Sequence, residues 1–258
     1  MTSDIDAALI RARNALQRGV SGMTHRLDDC TRVARLAVLA GVRSDGLDGF
    51  LADRQQADGG WIDVEETAWC AAALPPESDV AQAAMAWLAE SRLEEGGWGR
   101  SRRDVRRVLT TGLVLRLHPG IGLDSDWNGL EQSWAKDLNS DLALTYKGAA
   151  YLMCQASSCH RNSDLERDTV AFITRNLNDD GGLGPWKAHP VGSDPWTTGI
   201  CLVALSSADS DPAVLEGCSK WLCDHQLESG HWPYHFIDEG SVYAYWGLSE
   251  VGKARGQS

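Results

Sequence analysis

Phenylalanine is nearly missing from this chain of 258 residues, which has three of them against eleven tryptophans. A core assembled by packing alone spreads its aromatic usage more evenly, so the tryptophans have positions to explain. No apolar run reaches the roughly 18 residues that a spanning helix needs, and Met1-Thr2-Ser3-Asp4-Ile5-Asp6 lacks the basic and apolar regions of a secretion signal. A cytoplasmic protein is expected, with membrane association disfavoured. The seven cysteines (30, 70, 154, 159, 201, 218, 223) show no framework spacing and read as reduced thiols. Cationic charge is short as well. With 24 Lys and Arg against 36 Asp and Glu the net charge is −12, which repels phosphate backbones and weighs against nucleic acid as a partner. Phosphate-cradling glycine loops and Gly-x-Ser-x-Gly nucleophile turns are absent. A hydrophobic content of 43% is that of a globular chain.

What is present is repetition. Asp58-Gly59-Gly60-Trp61 is echoed by Glu95-Gly96-Gly97-Trp98, Asp180-Gly181-Gly182-Leu183 and Ser229-Gly230-His231-Trp232. Ahead of each stands an aromatic–aliphatic pair: Phe50-Leu51, Trp87-Leu88, Phe172-Ile173 and Trp221-Leu222. Downstream lies a small, apolar segment such as Ala68-Trp69-Cys70-Ala71-Ala72-Ala73-Leu74, apolar nearly all round and therefore a buried helix. A twelve-residue frame aligns six such inner helices: 26–37, 63–74, 104–115, 141–152, 194–205 and 237–248. Aspartate opens four of them, as an N-cap should, because its carboxylate accepts orphan backbone N–H groups. Their charged partners form an outer layer. Six hairpins bury their faces only by closing on one another, so the expected fold is all-α, a single (α/α)6 toroid over residues 1–258 as one domain.

Phe50-Leu51-x3-Gln55-x3-Gly59-x-Trp61 and Trp221-Leu222-x3-Gln226-x3-Gly230-x-Trp232 resemble the QW repeats of squalene–hopene cyclases. Asp63-Val64-Glu65-Glu66-Thr67-Ala68 resembles their Asp-Val-Asp-Asp-Thr-Ala motif with both later aspartates changed to glutamate. The resemblance implies a terpene cyclase/prenyltransferase-like toroid with Glu65 as the catalytic acid and Asp63 and Glu66 as its hydrogen-bonding neighbours. It departs from the zinc-dependent toroids. Asp194-Pro195-Trp196 lacks the Asp-x-Cys of prenyltransferases, and Cys159-His160 is followed by Arg161 where lanthionine cyclases have glycine.

Across the frames, the inner-helix starts gather Asp28, Asp29, Glu65, Glu66, Glu239, Arg106, Arg107 and Trp196 at one mouth, with Arg32, Trp69, Lys147 and Tyr243 deeper. Trp69, Trp196 and Tyr243 would shape an apolar substrate and face a carbocation. Arg106, Arg107 and Lys147 would hold an anionic group such as a diphosphate or carboxylate. Glu65 stands between acid, base and ion-pair partner of Arg106 or Arg107. A glutamate beside arginine suits an easily protonated or deprotonated substrate better than plain alkene protonation. The expected activity is metal-independent, cofactor-free cyclisation or isomerisation of an apolar or amphiphilic, isoprenoid-type small molecule in specialised metabolism. The alternatives are a non-catalytic toroid holding a lipid or peptide, and a zinc-dependent toroid enzyme, with Cys30, Cys70 and Cys201 as the cysteines on inner helices.

Overall fold

A computed structural model describes residues 2–23, 30–155 and 162–256. Among these the chain is all-helical: twelve α-helices, one 3-10 turn and no strand. Outer helices α1 (Thr2–Met23), α3 (Leu47–Ala52), α5 (Asp79–Glu90), α7 (Asp124–Leu138), α9 (Ser163–Arg175) and α11 (Pro212–Asp224) alternate along the chain with inner ones. The inner helices are α2 (Cys30–Ala40), α4 (Val64–Ala73), α6 (Val108–Leu117), α8 (Thr145–Gln155), α10 (Pro195–Ser206) and α12 (Ile237–Gly256). Each inner helix packs on the next, and α12 packs back on α2, so the inner ring is closed. The outer helices lie against it from outside, and α1 contacts both α11 and α12 to seal the outer layer. This is the toroid that the repeats imply.

The glycine turns are one structure used four times. Gly59, Gly96, Gly181 and Gly230 all have φ between +76° and +94°, the left-handed region in which a Cβ is unfavourable. In each turn the backbone closes the same way, Gln56 N–H to the Gly60 carbonyl being matched by Leu93 to Gly97, Asn178 to Gly182 and Leu227 to His231. The next residue then donates its N–H to a hydroxyl on the inner helix: Trp61 to Thr67, Trp98 to Thr111, Leu183 to Thr198, Trp232 to Ser241. Gln55 and Gln226 also act alike, each donating its amide to its own turn (Gly59 or Gly230) and to the following outer helix (Val80 or, around the ring, Ala8). Trp61, Trp98 and Trp232 are buried behind these turns and belong to the scaffold.

These ties correct the alignment of the inner helices. Thr67, Thr198 and Ser241 hold the fifth place of their frames, but Thr111 holds the eighth of its own. The third frame therefore slips by three residues, and α6 opens at Arg107, not Asp104. Asp104 caps no helix; it accepts N–H groups from Arg100 and Val105 within the preceding loop. Asp141 likewise lies in a loop, because α8 begins only at Thr145. The first frame slips by the same amount, which brings Arg35, in place of Arg32, level with Trp69 and Tyr243. Only Asp63 and Asp194 of the four aspartates cap their helices, accepting from the Glu66 and Thr197 N–H groups.

Candidate active site

The mouth at the inner-helix N-termini is organised by a side chain that the slipped frame hides. Arg35 of α2 reaches into the ring and bridges two carboxylates, Glu65 of α4 at 2.7 Å and Glu239 of α12 at 2.5 Å. Its guanidinium lies 5.7 Å from the Trp69 ring centre and 5.9 Å from that of Tyr243, within cation–π reach of both. Burial works against this charge, but the Glu65 and Glu239 carboxylates attract it, and the arginine is raised above its ordinary value. Burial in turn pushes the Tyr243 phenol up, so it is a hydroxyl and not a phenolate at neutral pH. The aromatic wall continues from Tyr243 to Trp196 (5.3 Å between ring centres) and on to Tyr146 (5.2 Å). Trp69 is fully buried, and among the described residues its indole N–H has no acceptor.

Beside this cluster a cavity of about 780 Å³ opens between α4, α6 and α8. Glu65 stands at its inner edge, so one carboxylate is shared between the Arg35 bridge and the open space. Val108, Leu109 and Tyr146 give it apolar surface, while Arg100, Arg107, Lys136 and Lys147 bring cations to its rim. Three of these cations are paired with aspartates, Arg100 with Asp63, Arg107 with Asp104 and Lys147 with Asp137, so the rim is a collar of both charges around an apolar recess.

The site residues read from the sequence divide into those the mouth brings together and those it does not. Glu65, Glu239, Trp69, Trp196 and Tyr243 converge around Arg35. Asp63 and Glu66 are not the hydrogen-bonding neighbours of Glu65. Asp63 caps α4 and pairs with Arg100 at 2.8 Å, while Glu66 is buried and accepts from the Ile62 N–H and the Thr31 hydroxyl. Both are committed to holding the start of the helix, where carboxylates are favoured. Arg106 does not oppose Glu65 either: it donates to the Glu95 and Gly96 carbonyls and to Ser133, clamping the second glycine turn to α7. Arg107 pairs with Asp104, and Lys147 with Asp137, at the cavity rim. Arg32 pairs with Asp238. Asp28, Asp29 and the Cys159-His160 pair lie outside the described residues.

Arg35 was missed because it sits three residues beyond Arg32, the place that the misaligned first frame inspected, and Tyr146 because the fourth frame opened at Asp141, short of the Thr145 start of α8. The signal was available in Arg32 and Arg35 themselves, two arginines on an otherwise apolar inner helix. Among the described residues, no three His, Cys, Asp or Glu side chains gather to hold a metal ion. The inner-helix thiols of Cys154 and Cys201 are pushed up by burial, Cys154 to about 12.

No family model matches this chain, and no curated protein matches it in sequence. Solved structures do match in shape. Type II terpene cyclase MstE from Scytonema, as an apo variant, aligns with a TM-score of 0.75 at 15% identity over 98% of both chains. Another variant of it, in complex with geranylgeranyl dihydroxybenzoate as substrate, aligns at 0.73 and 14% identity over 98% of this chain and 99% of that one. A possible member of the GH105 family from Salmonella enterica aligns at 0.65 and 11% identity, over 100% of this chain and 95% of that one. At such identities the likeness is one of fold, and this fold carries more than one chemistry.

Proposed function

We propose that the protein is a one-domain, terpene-cyclase-like enzyme that cyclises or isomerises an isoprenoid-type amphiphile by acid/base chemistry at Glu65. The observation that carries this reading is the double placement of Glu65, at the end of the Arg35 bridge and on the edge of the cavity. A free alkene would demand a far stronger acid than a carboxylate already paired with a guanidinium. The altered Asp-x-Glu-Glu motif therefore points to a substrate that loses a proton readily, or that arrives with an activated group. Departure of the activated group with its bonding pair leaves positive charge on the apolar body, which Tyr146 of the cavity wall faces. Glu65, kept oriented by Arg35, takes up the proton whose loss closes the new double bond. Trp69, Trp196 and Tyr243 stand behind that wall around Arg35. Arg107, Lys136 and Lys147 at the rim hold a carboxylate or diphosphate head.

That a neighbour in fold binds geranylgeranyl dihydroxybenzoate makes a prenylated aromatic acid the first substrate to try. Turnover of Glu65→Gln is compared with wild type on prenylated dihydroxybenzoates and prenyl diphosphates. A loss of two orders of magnitude or more is expected from removal of a general acid or base, whose contribution is roughly 100- to 10,000-fold. Undiminished turnover in a folded variant sinks the role of Glu65.

A second reading, a toroid that holds a lipid without converting it, is favoured by one feature. Arg35 is paired with two carboxylates through its two terminal nitrogens and lies beside Trp69 and Tyr243. Saturable binding of the same amphiphiles with no product over long incubation supports that reading against the first.

A further inference from the structure

At the opposite end of the ring, where α2, α4 and α6 terminate, lies a second cavity of about 500 Å³. It shares no lining residue with the first. Its walls are apolar, with Val38 and Leu39 of α2, Ala71 and Ala72 of α4, Leu117 of α6 and Trp246 of α12. Into this apolar space come four polar side chains, Arg116, His118, Glu250 and Lys253. Three of them are accounted for. Lys253 pairs with Glu250 at 2.8 Å, and the His118 ring meets the Ala68 carbonyl at 2.8 Å through Nε2, which must therefore be the protonated nitrogen. Burial lowers His118 below its ordinary value, against that hydrogen bond, so the ring is neutral at pH 7.

Arg116 is the remainder. Helix C-termini attract cations because their last carbonyls carry partial negative charge, and this explains Arg43 nearby, which donates to the Ala73 carbonyl and pairs with Asp48. Arg116 has no such partners: among the described residues it makes no hydrogen bond and no ion pair, although it is half-buried on the cavity wall. A planar guanidinium with its donors unmet, at the edge of an apolar chamber, matches a carboxylate bidentately. The chamber size falls within the roughly 300–1,000 Å³ of small-molecule sites.

We infer that this distal chamber is a binding site for an amphipathic monocarboxylate, its carboxylate on Arg116 and its apolar chain against Leu39, Ala72, Leu117 and Trp246. The inference stands apart from the chemistry proposed at Glu65, and its test reads binding, not turnover.

The experiment is calorimetric titration of the full chain with dodecanoate, and with dodecanol as the uncharged comparator. Wild type takes up dodecanoate saturably. Arg116→Gln weakens dodecanoate about tenfold or more, the scale of a lost charge-assisted hydrogen bond, and shifts dodecanol by less than about twofold, since the alcohol never used that charge. Ala72→Phe, which fills the chamber, removes binding of both. Arg102→Gln, a surface cation paired with Glu90 and lining neither cavity, leaves dodecanoate binding unchanged. The inference is overturned by absence of saturable dodecanoate binding, by Arg116→Gln binding as wild type does, or by an equal loss in Arg102→Gln. If Arg116→Gln does not fold, Ala72→Phe decides alone: retained dodecanoate affinity overturns the site, and lost affinity in a folded variant supports it.

Discussion

Replacing Arg35 with methionine tests the organisation of the mouth directly. The substitution keeps the apolar length of the side chain and removes the cation that pairs with both Glu65 and Glu239, beside Trp69 and Tyr243. Unpairing a buried charge costs about 3–5 kcal/mol. The low end applies here, because the Glu65 and Glu239 side chains keep 24% and 20% of their exposure and can recruit water. At roughly 2–4 °C per kcal/mol for a chain of this size, a cost of about 3 kcal/mol lowers the melting temperature by about 6–12 °C at pH 7. Thermal unfolding followed by circular dichroism at pH 7 measures the loss. A variant that melts within about 2 °C of wild type would refute the reasoning, since even 1 kcal/mol moves the midpoint that far.

Two further outcomes bear on the scaffold and its pH response. Gly96→Ala places a Cβ at φ +83° and 2.3 Å from the Ser125 carbonyl oxygen, a backbone atom that cannot swing aside. Such a substitution is expected to cost at least about 2 kcal/mol, since a strained left-handed site alone costs roughly 1–3 kcal/mol, and a chemical denaturation midpoint equal to that of wild type would contradict the turn geometry. His118 is held below its ordinary value of 6.5 by burial, so the unfolded chain takes up its proton first on acidification. Stability should then decline as pH falls below about 6.5. His118→Gln flattens that decline without abolishing it, because His231 is lowered by burial in the same direction. Melting temperatures between pH 7.5 and 5 check this, and identical slopes in the two proteins would exclude His118.

What the sequence determined by itself is the architecture. A glycine turn after an aromatic–aliphatic pair marks four of the six hairpins, three of them closed by tryptophan, since few residues other than glycine adopt the positive φ that Gly59, Gly96, Gly181 and Gly230 share. Segments apolar nearly all round, such as 68–74 and 199–205, announce an inner ring. The site was legible only in part: Glu65, Trp69, Trp196, Tyr243 and Glu239 stand in frames with the right register. The remainder failed for a physical reason. An α-helix turns once in about 3.6 residues, so sliding a frame by three keeps nearly the same face inward and leaves the apolar pattern intact. Hydrophobic periodicity cannot detect that slip, yet it moves a side chain about 4.5 Å along the axis at ~1.5 Å per residue. Only the packed ring decides the register. Its fixed points are the Thr111 hydroxyl under Trp98 and the guanidinium of Arg35 between two carboxylates. Those contacts join residues far apart in sequence, and they determine that Arg35, not Arg106, holds Glu65.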